Sequence, residues 1–221
     1  MTTGIVLAVL AVIWIGGAVY LHKRPWPWFL VWVMENPYML MVNNRRSLIP
    51  RMRLGKGMKV LDLGCGGGRL TIPAAREVGP EGAVMAVDIQ ETMLNLTRRR
   101  VARAGLNNVD FARVRLTEDP LPGQDYDRVV MVTVLGEIPD RQRLVQEIFA
   151  VLKPGGIFTI GEVLGDPSYL TTRYVQELAD TAGFSMEIVH TNYLSYTANL
   201  VKPVEPGRTG EPVGGAAPVS A

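Results

Sequence analysis

From position 59 onward the chain alternates between two hydrophobic patterns. Short apolar runs at 59–63, 83–88, 109–114, 128–133 and 156–162 are bounded by glycine, proline or acidic residues and predict strands. Between them, apolar positions recur every three or four residues over 69–78, 91–104 and 141–152, which predicts helices. A fourth helix is expected over 170–182, with Thr171 or Thr172 as its cap and Gly183 as its stop. Strands alternating with helices argue for βαβ units on a parallel sheet. The last two apolar runs, 185–192 and 194–201, are separated by Tyr193 alone. So short a link forces an antiparallel pair. The expected fold is α/β, a doubly wound, mostly parallel seven-stranded sheet ending in an antiparallel hairpin. Residues 202–221 are rich in Pro, Gly and Ala with little to bury, and are expected to form a disordered tail.

The first sixty residues follow another pattern. Positions 4–21 are eighteen residues without a charge, at the threshold of the ~20 that cross a hydrocarbon core. His22, Lys23 and Arg24 follow at once, and positive flanks stay on the cytoplasmic side. Residues 1–24 are therefore expected to be a single-pass transmembrane anchor with the folded domain in the cytoplasm. A cleaved signal peptide and a buried or interfacial helix are the alternatives; Met1-Thr2-Thr3 lacks the basic start of a signal peptide, and Ala18-Val19-Tyr20 is a poor cleavage site. Trp26, Trp28 and Trp32 suit a membrane–water boundary, or packing on the domain surface.

Charge sharpens this picture. The 221 residues carry a net charge of only +2, yet residues 1–60 hold eight Lys/Arg against one acid, Glu35. The remainder holds fifteen basic and twenty acidic groups. Residues 25–54 are read as an interfacial, basic cover segment, and the collar from Arg45 to Lys59 as facing anionic lipid headgroups, each charge worth about 1 kcal/mol there. Nucleic acid is not expected as a partner, because an anchor already accounts for the collar. The single cysteine, Cys65, rules out a disulfide within the chain and fits a reducing compartment. With only His22 and His190, no usual metal site is expected.

The chemistry concentrates at 59–68, Lys-Val-Leu-Asp-Leu-Gly-Cys-Gly-Gly-Gly. Strand, glycine turn and helix form the first unit of a nucleotide-binding α/β fold, in which glycine admits positive φ and close backbone approach. Asp88 ends the second apolar run, 24 positions after Gly64, near the ~20-residue offset of an acid that takes a ribose hydroxyl pair. Asp62 at the turn would oppose a pyrophosphate. It suits a cationic ligand with an amino-acid head, such as S-adenosylmethionine.

On these residues the chain, from about 55 to 201, resembles the class I S-adenosylmethionine-dependent methyltransferases, which have a Rossmann-like fold. Val60-Leu61-Asp62-Leu63-Gly64-Cys65-Gly66-Gly67-Gly68 is similar to the family's first motif, Val87-Asp88-Ile89 to its second, and Leu152-Lys153-Pro154-Gly155-Gly156 to the turn before its fifth strand. The resemblance is nearest to the ubiquinone/menaquinone-type branch. It implies that Gly64, Cys65, Gly66 and Gly68 pass beneath the methionyl part of the donor, and that Asp62 faces its ammonium through the loop or a water. Asp88 would accept from both ribose hydroxyls, Ile89 and Met93 would sandwich the adenine, and Thr133 would border the donor at the end of the fourth strand. Asp62 as a cap and Met93 as plain core remain open. The third strand departs from the family: Arg115 and Leu116 stand where relatives place an Asp, leaving the adenine amine to Glu118, Asp119 or a carbonyl.

On the acceptor side, Glu137 is the acid directly on the rim after the fourth strand, as a base or as a surface or capping group, and Glu162 is a second candidate. The hairpin offers His190, Asn192, Tyr193, Tyr196 and Asn199, of which alternate members share a face; Tyr193 and Tyr196 are singled out as acceptor-side residues. One cysteine speaks against the arsenic-methylating relatives, and the Pro-Pro-aromatic motif of adenine-amine methylation is missing. The link 163–169 is too short for a lid, so either the site is open or the segment from Pro25 to Pro50 covers it. The leading expectation is a membrane-anchored methyltransferase of a lipophilic small molecule. A soluble or protein acceptor and a non-catalytic donor-binding role are the alternatives.

Overall fold

A computed structural model describes residues 45–164 and 166–204. Helix α1 (Arg45–Arg51) precedes β1 (Lys59–Leu63), α2 (Thr71–Val78), β2 (Ala83–Asp88), α3 (Glu91–Arg103) and β3 (Val109–Arg113). Then come β4 (Tyr126–Val132), a 3-10 turn (Leu135–Glu137), α4 (Arg141–Val151), β5 (Leu152–Val163), α5 (Thr172–Ala182), β6 (Ser185–Thr191) and β7 (Ser195–Val201). The seven strands form one sheet in the order β3-β2-β1-β4-β5-β7-β6. Neighbours from β3 to β5 run parallel, and β7 lies antiparallel to both β5 and β6. The direction of winding reverses between β1 and β4, which opens a crevice at their carboxyl ends. Ser195 pairs with Val163, so the hairpin tip rises on the same rim.

Both faces of the sheet are covered, which is why its central strands are apolar runs rather than alternating ones. Leu61, Leu63, Val129, Met131, Phe158 and Ile160 pack with Leu144 and Ile148 of α4 and Val175 and Leu178 of α5. On the opposite face Val60 and Val84 meet Ala74, Ala75 and Val78 of α2, while Leu48 and Met52 cover Val130. The cap of α5 is Thr171, whose hydroxyl accepts from the Tyr174 N–H, and Gly183 ends the helix in the left-handed region.

The largest difference from the sequence reading is at the start of the domain. The stretch expected to be the end of the 25–54 cover belongs to the fold from α1 onward. Leu48 and Met52, four residues apart, are both buried. The Arg51 guanidinium donates to Thr197 Oγ1 and the Arg51 carbonyl accepts from Asn199 Nδ2. Arg128 donates to the carbonyls of Met52 and Arg53, Arg53 pairs with Glu187, and Lys56 and Lys59 bond carbonyls at Arg76, Glu77 and Gln124. Four collar residues thus turn onto the domain itself, because an arginine or lysine stem covers apolar surface while its head finds backbone acceptors. The turn expected at 152–156 is absorbed into β5, which bends there with Gly155 at φ 74. Lys202, expected to begin the tail at 202–221, instead continues onto the sheet, its N–H donating to the Gly156 carbonyl and its ammonium to those of Phe149 and Leu152; the anchor at 1–24, the cover up to residue 44 and the tail from 205 lie outside the described residues. Among the described residues no helix is long and apolar enough to cross a membrane.

Candidate donor and acceptor site

The glycine loop leaves β1 and is fastened to the end of β2. The N–H groups of Gly64 and Cys65 both donate to the Val87 carbonyl, at 2.8 and 2.9 Å. Gly64, Gly66 and Gly68 have φ of 75, 50 and 78°, a region that costs side-chain-bearing residues energy. A Cβ on Gly64 would lie 2.5 Å from Val134 Cγ2, and one on Gly68 2.7 Å from Thr97 Cγ2. At Gly66 a Cβ would meet nothing within 4 Å. Of the three, Gly66 is the one that faces open space.

Asp88 stands beside that opening. Its Oδ2 accepts from the Gly66 N–H and its Oδ1 from the Gln90 N–H, each at 2.9 Å. Burial pushes this carboxyl up, against the backbone bonds from Gln90, Gly66 and Ile89 that hold it down. Two carboxylate oxygens offer about four acceptor positions, so a ligand hydroxyl pair still has places to bind. Asp62 is only 3% exposed and accepts a 2.6 Å bond from the Thr71 hydroxyl, as well as the Thr71 N–H. Burial pushes it up to about 6, the Thr71 bonds oppose this, and the charge of Asp88 adds to it. Asp62 therefore fastens β1 to the start of α2. The Cys65 thiol is buried and pushed up by burial and by the Asp62 and Asp88 charges, so it is a packing group and no nucleophile.

Ile89 is half-buried with its carbonyl bonded by Arg113 Nε, and Met93 is buried on α3. Thr133 has φ 54, an outlier for a β-branched residue. Its N–H donates to Gly161 and its hydroxyl to Val132. Such strain costs ~1–3 kcal/mol and collects at functional sites; here it turns the chain so that Val134 packs over Gly64. After the third strand, Glu118 and Asp119 both pair with Arg115, and Asp119 also accepts from its N–H. The acids expected at the adenine amine are thus engaged locally.

On the acceptor side two carboxyls dominate. Glu137, on the 3-10 turn, is pushed up to about 8 by burial and then by the charges of Asp166 and Asp88. Glu162, next to last in β5, is also pushed up to about 8, by burial first and Asp166 second. The link after β5 folds back over them: Gly136 has no room for a Cβ because the Ser168 carbonyl lies against it, and Arg141 donates to the Leu135 and Gly136 carbonyls. Tyr196 is brought here, but its hydroxyl donates to the Leu170 carbonyl at 2.8 Å and its ring stands edge-on to Tyr169. Tyr193 is not brought here; at the hairpin tip it is 95% exposed. Asn192 shapes the tip by accepting from the Leu194 and Ser195 N–H groups, and Asn199 faces the opposite side, toward Thr159 and α1. Arg141 and Asp166 were not anticipated as site residues. Arg141 carried no signal beyond its place at a helix start, whereas Asp166 stood in a short link at the carboxyl rim, where an acid could have been suspected.

Residues 54–199 match a family described as a methyltransferase domain. The chain belongs to this methyltransferase family. Demethylmenaquinone methyltransferase of Listeria monocytogenes is 38% identical over 119 residues, which are 54% of this chain and 50% of that protein. The enzyme of the same description from Geobacillus stearothermophilus is 37% identical over 113 residues, 51% of this chain and 48% of that one. The chain thus spans about half the length of these curated relatives. Among solved structures, a SAM dependent methyltransferase from Aquifex aeolicus superposes with a TM-score of 0.72 at 22% identity, covering 80% of this chain and 99% of that one. A SAM-dependent O-methyltransferase from Thermotoga maritima gives 0.59 at 20% identity, covering 73% and 65%. These two share the fold. S-adenosylmethionine is the donor the family implies, and the residues fit it. The opening at Gly66, the remaining acceptor positions of Asp88 and the acids along the rim suit a ribose joined to a sulfonium.

Proposed function

We propose that this protein uses S-adenosylmethionine to methylate a small lipophilic ring of the hydroquinone type, at the cytoplasmic face of a membrane. The observation that carries this reading is the 37–38% identity to demethylmenaquinone methyltransferases over half of the chain. The chemistry of the rim agrees with it. A quinone ring carbon is electron-poor, so attack on a sulfonium needs the reduced, hydroxyl-bearing ring and a base to unmask it. Two carboxyls pushed up to about 8, Glu137 and Glu162, supply groups matched to that task. Much of the remaining acceleration comes from holding the ring carbon in line with the methyl group. When bound, the donor supplies that methyl from an already activated sulfonium. Asp88 orients its ribose, and the Gly66 opening lets it lie against the backbone.

Membrane attachment is part of the proposal. Residues 4–21 are uncharged and Lys23 and Arg24 follow, the arrangement of an anchor with a cytoplasmic domain. Lys23 and Arg24 are then the charges next to the span that meet anionic headgroups. The test is incubation of the full-length protein with methyl-labelled donor and a membrane lipid extract, beside soluble metabolites from the same cells. Label is expected in a lipophilic ring compound. Label in soluble acceptors alone would show the acceptor class to be wrong.

A further inference from the structure

One carboxyl oxygen on the acceptor side has no partner among the described residues. Glu162 is 2% exposed, and its Oε1 makes no hydrogen bond to any described residue, while the Leu170 backbone N–H bonds the carboxyl group. A buried acceptor left unpaired costs about 1–3 kcal/mol. Its neighbours are already committed: the Tyr196 hydroxyl donates to Leu170, and Arg141 donates to Leu135 and Gly136. Glu162 pairs with Tyr196 across β5 and β7, so both side chains stand on one face of the sheet. That face is the one packed by α4 and α5, and Glu162 lies on the carboxyl-end rim one strand from the switch point between β1 and β4. A ligand hydroxyl arriving there would find an acceptor waiting for it.

We propose that Oε1 of Glu162 binds the hydroxyl of the acceptor ring and removes its proton during methyl transfer. This rests on the hydroquinone reading above and adds to it the residue that does the acid–base work. The ring O–H bond breaks and its proton bonds Oε1. The electron pair left behind is shared into the ring, where the adjacent carbon forms the new bond to the methyl group. The donor gives up that methyl as its C–S bond breaks, the pair staying on sulfur in a neutral thioether. Glu162 returns its proton to the ring oxygen while the hydrogen of the methylated carbon leaves to water, so one proton is released per transfer.

The groups facing Glu162 support this role. Burial and the charge of Asp166 push it up to about 8, Glu137 adds slightly, and the Leu170 bond and Arg141 pull the other way. That brings it closer to a ring hydroxyl, ordinarily near ~10, than a common carboxylate comes. Tyr196 is pushed further up, by burial and by Glu162 and Tyr169, and keeps its proton.

The test uses the full-length protein, the Glu162→Gln and Glu162→Asp variants, and two readouts. With S-adenosylmethionine and a demethylated naphthohydroquinone, Glu162→Gln should keep donor affinity within about twofold yet lose roughly 100-fold or more in kcat, together with the rise of rate with pH near 8. Glu162→Asp, which keeps the carboxyl, should retain that pH dependence at a lower rate, and stands in if Glu162→Gln does not fold. Without donor, bound 1-naphthol should show naphtholate absorbance at higher pH in the wild type than in Glu162→Gln, because the Glu162 carboxylate opposes a second negative charge beside it. Wild-type turnover with unchanged kcat, pH profile and naphthol spectrum in Glu162→Gln overturns this proposal alone. Donor binding with no turnover of the naphthohydroquinone by the wild type overturns the hydroquinone reading, and this proposal with it.

Discussion

Alanine substitutions at the loop glycines separate space kept for a ligand from space filled by the protein. At Gly66 the backbone has φ 50 and a Cβ would meet nothing within 4 Å. Gly66→Ala therefore carries only the backbone cost of a left-handed residue, about 1–2 kcal/mol. At Gly64 the same cost applies with φ 75, and the Cβ would also lie 2.5 Å from Val134 Cγ2 and 3.0 Å from Cγ1. Forcing a methyl into a packed site adds about 1–3 kcal/mol, so Gly64→Ala should lose roughly 2–5 kcal/mol in all. Donor affinity should change in the opposite order. The methyl of Gly66→Ala would stand in the opening beside Asp88, and affinity should fall at least tenfold, about 1.4 kcal/mol. Denaturant unfolding gives the stabilities and calorimetric titration with S-adenosylmethionine gives the affinities. A Gly66→Ala protein that binds the donor like the wild type would place the donor elsewhere and refute this assignment of the loop.

Asp88→Ala should weaken donor binding at least tenfold in the same titration, since hydrogen bonds to a charged group are worth roughly 1.5–3 kcal/mol each. Stability should depend on pH with a definite sign. Asp62 near 6 and Glu137 and Glu162 near 8 all lie above their ordinary values of 3.8 and 4.5, so the folded chain holds protons that the unfolded chain has already lost. Stability contributed by these groups is fully present below about pH 4, falls as pH rises above their ordinary values, and is lost through about 6 for Asp62 and about 8 for Glu137 and Glu162; Glu162→Gln should flatten that decline in unfolding curves at pH 5.5 and 8.5, and an unaltered slope would mean that Glu162 does not titrate there. Full-length protein should stay with membranes in high salt, whereas a chain lacking residues 1–24 should be released; release of the full-length protein by salt alone would rule out a spanning anchor.

What the sequence made legible was local. The glycine loop, Asp88 and the order of strands and helices follow from short-range patterns, because strand length, turn glycines and helical period act over a few neighbouring residues. The hairpin followed from the short link expected at Tyr193, which the structure widens to residues 192–194 because Asn192 folds back onto the Leu194 and Ser195 N–H groups, and the cap at Thr171 from its place before an apolar period. What escaped depends on residues far apart in the chain. Helix α1 is held by Arg51 against Thr197 and Asn199, 146 and 148 positions away, and its charges drew attention from the buried pair Leu48 and Met52. Tyr193 and Tyr196 read alike as hairpin aromatics, yet one stands in solvent and the other is sealed against Leu170. Glu137 and Glu162 were both visible as rim acids. The unpaired Oε1 of Glu162 was not, since it depends on how the link after β5 folds over it. The left-handed backbone of Thr133 left no trace either, because nothing about a threonine announces it.

The most direct measurement supplies the full-length protein in mixed micelles with S-adenosylmethionine carrying a labelled methyl group and a demethylated naphthohydroquinone. Mass spectrometry then follows both products. The expected result is one labelled methyl on a ring carbon for each donor converted to its thioether, with activity lost in Asp88→Ala. A protein that binds a nicotinamide dinucleotide in preference to S-adenosylmethionine, or converts the donor without labelling the ring, would contradict the function proposed here.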